Sequence, residues 1–160
     1  MAKTNPSTII LKGDPIYKEY GLAPLDGCGN GAITPGMLVE TVSGEVRPHS
    51  TLGGTASPLF AVEGLNEDAT SKTMGDIDID YDNDNGVVKC AYCKPGDEVY
   101  ALLVAGANVA IDGLVQSSSD GYLMAYNVTT PPLGRAVGRA KEAKNNSAGS
   151  APVRIRIEVL

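Results

Sequence analysis

The sequence predicts an all-β protein, a compact antiparallel β-barrel or β-sandwich with an extended N-terminal arm. Between residues 33 and 126, short apolar runs alternate with glycine-centred turns, and the runs do not follow a helical period. The 19 glycines and 10 prolines, beside one phenylalanine and no tryptophan, fit a loop-rich protein with an aliphatic core. Near the C-terminal end, apolar residues at 153, 155, 157 and 159 alternate with charged residues, as in a half-buried strand.

Two parts are expected along the chain, an N-terminal arm over residues 1–31 and a β-rich domain over residues 32–160. The arm contains one strand candidate, STIILK (7–12), followed by Pro15, Pro24 and a glycine-rich stretch. An arm of this kind buries little by itself, so it either packs on its own domain or pairs edgewise with a neighbour's sheet. The chain of 160 residues is long enough to form one core without metal or disulfide support.

The strands of the β-rich domain are predicted from apolar runs bounded by turn residues. They are MLVETV (37–42), PLFAVEG (58–64), VVKCAYC (87–93), EVYALLV (98–104), NVAI (108–111), LVQ (114–116), YLMAY (122–126), GRAVGRA (134–140) and the final run 153–159. We read GRAVGRA as a strand because two glycines inside a helix cost about 2 kcal/mol relative to alanine. A loop is predicted around Pro48-His49 and an exposed excursion over residues 64–76, and the last strand is expected to close the sheet.

Charge limits the classes of partner. The net charge of -6 disfavours nucleic acid, because Lys and Arg contacts to phosphate supply most nonspecific affinity. The sequence also lacks a membrane-spanning apolar stretch and a signal-peptide pattern at its start, so we expect a protein made and kept soluble. Residues 63–98 carry ten acids and three lysines, whereas residues 131–160 carry six basic and two acidic residues. The two segments are either solvated faces or complementary patches that steer assembly.

Five aspartates alternate with other residues between Asp76 and Asp84. In an extended segment their carboxylates share one side, with Ile77, Ile79 and Tyr81 on the other. Such a row needs solvent, a cation or a basic neighbour. An EF-hand calcium loop counted from Asp80 fails, because its sixth and twelfth places hold asparagine and alanine instead of glycine and glutamate. We therefore favour a solvated edge strand over a bound ion.

The cysteines and the single histidine give little support for a catalytic or metal-binding site. Cys90 and Cys93 form half of a zinc pattern that Cys28 and His49 could complete, but residues three apart in a strand point to opposite faces. Two buried thiols are the favoured interpretation. His49, the only histidine, is predicted to be an exposed loop residue, and no nucleophile-elbow serine or phosphate-binding glycine loop is present in the sequence. We assign no catalytic, cofactor-binding or metal-binding residues and predict that the protein is not an enzyme.

The order and spacing of several runs resemble the head decoration (cement) proteins of tailed bacteriophages. The runs are ITPGMLVE (33–40), VRPH (46–49), LFAVE (59–63), KPGDEVY (94–100), GLV (113–115), DGYL (120–123) and VGRA (137–140). The likeness covers roughly residues 33–160 and rests on turn and strand spacing. It carries no chemical signature.

The resemblance implies a structural virion protein on the outer surface of the capsid, synthesised in the bacterial host cytoplasm. Its expected partner is the major capsid protein, and it is expected to associate with itself as a homotrimer. No cofactor, nucleic-acid partner or membrane partner is expected. Its expected role is to cement capsid subunits against internal DNA pressure.

Two other functions stay open at this stage. One is a carbohydrate-binding β module on a virion or cell surface, using tyrosines 81, 92, 100, 122 and 126 in the absence of tryptophan. The other is a small β-barrel enzyme that uses His49 or the cysteines.

Overall fold

The structure, a computed structural model, describes residues 6–23, 32–64, 77–81, 87–127 and 135–160. Within these ranges the chain forms strands and no helix, and so none long and apolar enough to cross a membrane. The strands are β1 (Ile10–Lys12), β2 (Ile16–Leu22), β3 (Val39–Val42), β4 (Glu45–Pro48), β5 (Leu59–Ala61), β6 (Val87–Tyr92), β7 (Glu98–Leu103), β8 (Asn108–Val109), β9 (Leu114–Ser117), β10 (Leu123–Ala125), β11 (Gly138–Ala140), β12 (Lys144–Asn145) and β13 (Val153–Val159). The predicted all-β class is confirmed.

Five strands close a barrel in the order β7, β10, β9, β11 and β13, with β13 pairing back onto β7. The seam between β13 and β7 is antiparallel and runs from Val153 opposite Leu103 to Glu158 opposite Glu98. Only the contact of β10 with β7 is parallel among the barrel pairs, at Leu123 and Leu103. The expected closure by the last strand is confirmed. Of the two architectures that the sequence left open, barrel and sandwich, the structure forms the barrel.

The barrel core follows the two-residue period of its strands. In β13 the residues Ile155, Ile157 and Val159 are buried, while Arg156 between them is exposed. They pack with Leu103 of β7 and with other aliphatic residues from the remaining barrel strands. Full burial of such a side chain stabilises the fold by roughly 1.5–3 kcal/mol, so alternation in the sequence fixes which face turns inward.

A second sheet packs beside the barrel in the order β3, β4, β2, β6 and β5. It is antiparallel except for the β2–β4 pair, and a bridge between Leu38 and Phe60 brings its two outer strands together. Strand β6 belongs to both cores, because Ala91 packs in the barrel core whereas Val88 and Cys90 pack in the second core. This shared strand couples the two sheets.

The N-terminal residues are tied to the chain's own sheets. Strand β1 pairs with β7, and the Tyr100 N–H donates to the Ile9 carbonyl at 2.7 Å. The Asp97 carboxylate is buried and accepts the backbone N–H groups of Lys94 (2.8 Å) and Asp14 (3.3 Å). Residues 6–23 therefore pack on this chain, which is one of the two arrangements that the sequence left open.

Three strands lie where the sequence predicted none. Strand β4 occupies part of the predicted loop around Pro48-His49, because pairing with β3 overrides the turn signal of its proline. Strand β2 lies in the predicted arm, and the two-residue β12 pairs with β8. Most of the predicted excursion over 64–76 and the glycine-rich stretch 27–31 lie outside the described residues.

Candidate interaction surface

An open strand edge is the most prominent surface feature of the second sheet. Strand β2 pairs with β6 from Ile16 to Gly21 but with β4 only at Gly21 and Leu22. Among the described residues, the side of β2 turned away from β6 therefore has no strand partner over residues 16–20, which we call the open edge. Every second residue there directs its backbone N–H and C=O groups outward, over a length of about 16 Å.

Large apolar side chains flank the open edge. Ile16 is 60% exposed and Tyr17 51% exposed, and Tyr92 of β6 lies directly opposite Ile16 with 45% of its surface exposed. Ile16 and Tyr92 share one face of the sheet, whereas Tyr17 lies on the other. Lys18 and Glu19 are also exposed, again one on each face. The edge thus combines unpaired backbone, apolar side chains and one charge of each sign.

Sequence reasoning missed this edge because it treated residues 1–31 as an arm. The signal was present: IYKEYGL holds one isoleucine and two tyrosines between Pro15 and Pro24, a composition typical of a strand. The adjacent charges of Lys18 and Glu19 interrupted the apolar pattern and hid it. Exposure on both faces of β2 explains why no half-buried alternation is visible there.

His49, Ser117 and Glu40 form a polar cluster that resembles a catalytic triad in composition. His49 Nδ1 lies 2.7 Å from Ser117 Oγ, and His49 Nε2 lies 3.8 Å from Glu40 Oε2. His49 is only 2% exposed, so the prediction of an exposed loop histidine is wrong. The reason is that its backbone pairs with Leu38 and Gly121, which draws the ring between the two sheets.

The cluster is arranged as a structural contact. Ser117 is fully buried, and its Oγ already accepts the Ser119 N–H at 3.3 Å, so its own O–H is free to donate to His49 Nδ1. On the other side of the ring, His49 Nε2 lies 3.5 Å from the Thr55 carbonyl oxygen. A serine nucleophile must touch its substrate, and this hydroxyl has no exposed surface with which to do so.

Glu40 is held as a carboxylate at the outer end of this cluster. Its Oε1 accepts hydrogen bonds from Arg47 Nε at 2.7 Å and from Ser50 Oγ at 2.6 Å. Burial by itself raises the pKa of Glu40, but these hydrogen bonds and the nearby positive charge outweigh it and lower the pKa below 4.5. The carboxylate therefore acts as an acceptor that fixes the turn after β4.

Cys90 and Cys93 are buried thiols, as the sequence predicts. They lie in different cores, Cys90 in that of the second sheet and Cys93 in that of the barrel, because they point to opposite faces of the chain. Burial raises the pKa of each thiol to about 12. Since thiolates are the reactive and metal-binding form, this environment suits packing and opposes nucleophilic chemistry. Cys28 lies outside the described residues.

The described part of the aspartate row, residues 77–81, shows the predicted alternation of burial but not the predicted edge strand. Ile77 and Asp78 form a turn, and only Tyr81 pairs, in an isolated bridge with Ile33. Ile77 is buried while Asp78 and Asp80 are exposed. Asp78 Oδ1 lies 3.3 Å from Arg154 Nη2, so at least this carboxylate has the basic neighbour that the sequence analysis considered. Asp76, Asp82 and Asp84 lie outside the described residues.

Arg154 joins three parts of the chain. Its guanidinium donates to the carbonyls of Ile77 at 2.6 Å and Pro35 at 2.8 Å, and it lies 5.6 Å from the ring centroid of Tyr100. One residue of the basic C-terminal segment thus contacts the acidic segment within the same molecule. The outer face of the barrel also carries Arg139 and Arg156, both exposed.

The tyrosines predicted as a possible glycan platform do not meet on one exposed face. Tyr81 donates its hydroxyl to the Val62 carbonyl at 2.6 Å, and Tyr100 is buried. Of the five, only Tyr92 is largely exposed, and the exposed Tyr17 lies on the opposite face of the β2–β6 pair. Stacking a sugar ring requires coplanar access that this arrangement does not provide.

No constellation typical of a chemical site emerges from the described ranges. No group of three or more His, Cys, Asp or Glu side chains there is placed to hold a metal ion. Every buried polar side-chain atom in the same ranges has a hydrogen-bond partner. Comparison with known proteins gives no family model that matches the sequence and no curated protein with a significant match.

Proposed function

We propose that this chain is a structural protein of a bacteriophage head that binds the outer surface of the capsid and cements its major subunits. The observation that carries the proposal is the open edge with its apolar flanks, on a body held together by two packed cores. Unpaired strand edges are normally blunted in monomeric proteins. This edge carries two charged residues, but the exposed Ile16 and Tyr17 beside them support a role as a surface for another chain.

The outward pressure of DNA in a filled capsid explains how a bound surface protein stabilises the shell. Packaged DNA pushes outward, and a protein that spans a seam between subunits resists this by adding interface area that must be lost before the subunits separate. A specific interface of ordinary size buries about 1,200–2,000 Å². Many copies on one lattice add to this through avidity.

The charge of the chain supports an outward position. At -6 the protein is unsuited to lining packaged DNA, whose phosphates repel it. We further propose a homotrimer, in which the acidic and basic segments of neighbouring copies face one another and set the register. Within one copy, Asp78 of the acidic segment lies 3.3 Å from Arg154 of the basic segment, an example of the kind of pair proposed between copies.

A carbohydrate-binding role is the weaker alternative. The exposed tyrosines 17 and 92 favour it by chemistry, since aromatic rings stack on sugars, but they face opposite sides of the sheet. An array of bacterial and phage glycans tests it directly. Binding of one glycan class that Tyr92→Ala abolishes would replace the capsid proposal.

Co-sedimentation tests the proposed function. Purified protein is mixed with phage heads that lack it and with free capsid subunits, and each pellet is assayed for this chain. We expect saturable binding to assembled heads, little binding to free subunits, and a regular array of added protrusions in negative-stain images. Decorated heads should also withstand a higher temperature before they release DNA.

Absence of the chain from the head pellet at micromolar concentration contradicts the proposal. Sedimentation velocity of the unbound protein tests the trimer separately. A monomer that nevertheless decorates heads contradicts the trimer and leaves the capsid role standing.

A further inference from the structure

We infer that His49 is a proton-controlled clasp: in mild acid its buried ring takes up a proton, pairs with Glu40, and holds β3 more tightly against β9. This role is a property of the fold and does not depend on the proposed function. Histidine is the side chain that ordinarily changes charge between pH 5 and 8. His49 is the only histidine in the chain, so a response of this kind has a single source.

His49 is fixed at the junction of the two sheets. Its backbone N–H donates to the Leu38 carbonyl at 3.0 Å, and its carbonyl accepts the Gly121 N–H at 3.2 Å. The side chain is buried against Ser117 of β9. Because the backbone is paired on both sides and the ring is buried, we expect the imidazole to gain and lose its proton without leaving this site.

Both ring nitrogens face atoms that can accept a hydrogen bond. Nδ1 lies 2.7 Å from Ser117 Oγ, which has a second lone pair beside the one that accepts the Ser119 N–H. Nε2 faces the Thr55 carbonyl oxygen at 3.5 Å and Glu40 Oε2 at 3.8 Å. A neutral ring carries one N–H and can donate on one side only, whereas an imidazolium carries two and can donate on both sides. The site therefore has acceptors ready for the second proton.

The Glu40 carboxylate decides the sign of the effect. Burial of a charged ring costs free energy, and a carboxylate within ion-pair distance opposes that cost. Burial raises the pKa of Glu40, but hydrogen bonds from Ser50 and Arg47 and the nearby positive charge outweigh it and lower the pKa below 4.5. Glu40 is therefore ionised throughout the range in which histidine titrates. Its Oε1 accepts those two hydrogen bonds, and its Oε2 is the oxygen that faces the ring.

One positive charge competes with the ring for Glu40. Arg47 of β4 donates to Glu40 Oε1 at 2.7 Å, but 42% of its side chain is exposed, so solvent screens its repulsion of an imidazolium. The loop after His49, residues 50–58, contains no ionisable side chain. On the turn between β9 and β10, Asp120 is exposed and has the sign that favours a charged ring. The charges that surround the site therefore support protonation.

A double-mutant cycle at two pH values tests the clasp in the full-length protein. Wild type, Glu40→Gln, His49→Gln and the double variant are unfolded thermally at pH 7.5 and pH 5.0, with Glu45→Gln of β4 as the control for loss of one charge. A protonated ring held in the folded chain adds stability in acid, and this stability is lost as the pH rises and the ring becomes neutral. We expect the difference in melting temperature between wild type and Glu40→Gln to be about 2–5 °C larger at pH 5.0 than at pH 7.5. The effect of Glu45→Gln, and that of Glu40→Gln in the His49→Gln background, should be the same at both pH values.

Three results of this cycle overturn the clasp. The first is a difference between wild type and Glu40→Gln that is equal at the two pH values. The second is a difference that grows as much in the His49→Gln background, because the response then belongs to another group. The third is a larger loss of melting temperature in acid by wild type than by His49→Gln, which shows that the charged ring is expelled.

Nitrogen NMR of the wild type tests the same point without a substitution. With ¹⁵N-labelled histidine, the single ring gives one pair of nitrogen signals. We expect both nitrogens to be protonated in the folded protein at pH 5.0, with both ring N–H protons protected from exchange with water. A neutral ring at pH 5.0, or an imidazolium whose protons exchange freely with water, overturns the clasp.

Discussion

His49 Nδ1 and Ser117 Oγ lie 2.7 Å apart between the two sheets, in a contact that joins the residue after β4 to the end of β9. Both side chains are buried, so the bond is sheltered from water. The same ring reaches toward Glu40 on β3. This relationship gives the only histidine a role in holding the second sheet against the barrel.

Removing the hydroxyl of Ser117 should destabilise the fold. Ser117→Ala leaves the buried Nδ1 of His49 without its hydrogen-bond partner, and an unsatisfied buried polar group costs about 1–3 kcal/mol. Urea unfolding followed by tyrosine fluorescence measures the loss. Ser57→Ala, at an exposed position, serves as the control and should change the free energy of unfolding by less than about 0.5 kcal/mol. Equal stability of the two variants would contradict the role of the contact.

Glu40 should make stability depend on pH on the acid side. Its pKa is lowered in the folded protein, so its contribution is present above the ordinary value of 4.5 and is lost as the pH falls through the lower folded pKa. Glu40→Gln should therefore unfold more easily than wild type at pH 7, by about 1 kcal/mol, through weaker hydrogen bonds to Arg47 and Ser50.

Thermal unfolding at a series of pH values checks this expectation. The difference between wild type and Glu40→Gln should narrow steadily below pH 4.5. Glu45→Gln on the neighbouring strand β4 controls for the loss of one charge. A difference that stays constant down to pH 2.5 would show that Glu40 contributes through shape alone.

The sequence predicted much of the fold because burial leaves a periodic trace. Alternation in β13 and the turn residues before β7 are local signals, and both strands lie where they were expected. Strand β2 left no such trace, since its residues from Ile16 to Glu19 are exposed on both faces and its partners on β6 lie 66 to 76 positions away in the sequence. Its open edge, the candidate binding surface, depends on that distant pairing and on where β4 begins.

The burial of His49 is a second feature that the local sequence could not predict. The local sequence around His49 is polar, and burial of its ring depends on contacts with Leu38, Ser117 and Gly121, which come together only in the folded chain. By contrast, the opposite orientation of Cys90 and Cys93 needed only the period of a strand. Properties set by one strand's geometry could be predicted, and properties set by contact between distant strands could not.

The two described cysteines should resist thiol reagents in the native state. Because burial raises each pKa to about 12, almost no thiolate exists at pH 8, and neither sulfur is accessible. Iodoacetamide labelling followed by mass spectrometry of the peptide that spans both residues should show modification only after unfolding in urea. The raised pKa also means that the stabilising effect of the neutral thiols is complete below about pH 9 and falls as the pH rises toward 12. Rapid labelling of the folded protein at pH 8 would instead indicate an opening of β6.

Gly36 should be replaceable only at a large cost, because of what lies beside it. Its φ of +97° belongs to a region that favours glycine, and a Cβ there would lie 2.7 Å from Arg154 Nη1 and 2.8 Å from the Tyr100 carbonyl oxygen. Gly96 offers a matched control with a φ of +95° and nothing within 4 Å of its Cβ position. Gly96→Ala should therefore lose only the backbone term, about 1–2 kcal/mol, whereas Gly36→Ala should lose that amount plus about 1–3 kcal/mol from crowding. Urea unfolding of both variants measures the difference. A Gly36→Ala variant no less stable than Gly96→Ala would contradict the crowding, because both Arg154 and the Tyr100 carbonyl would then have to move aside without cost.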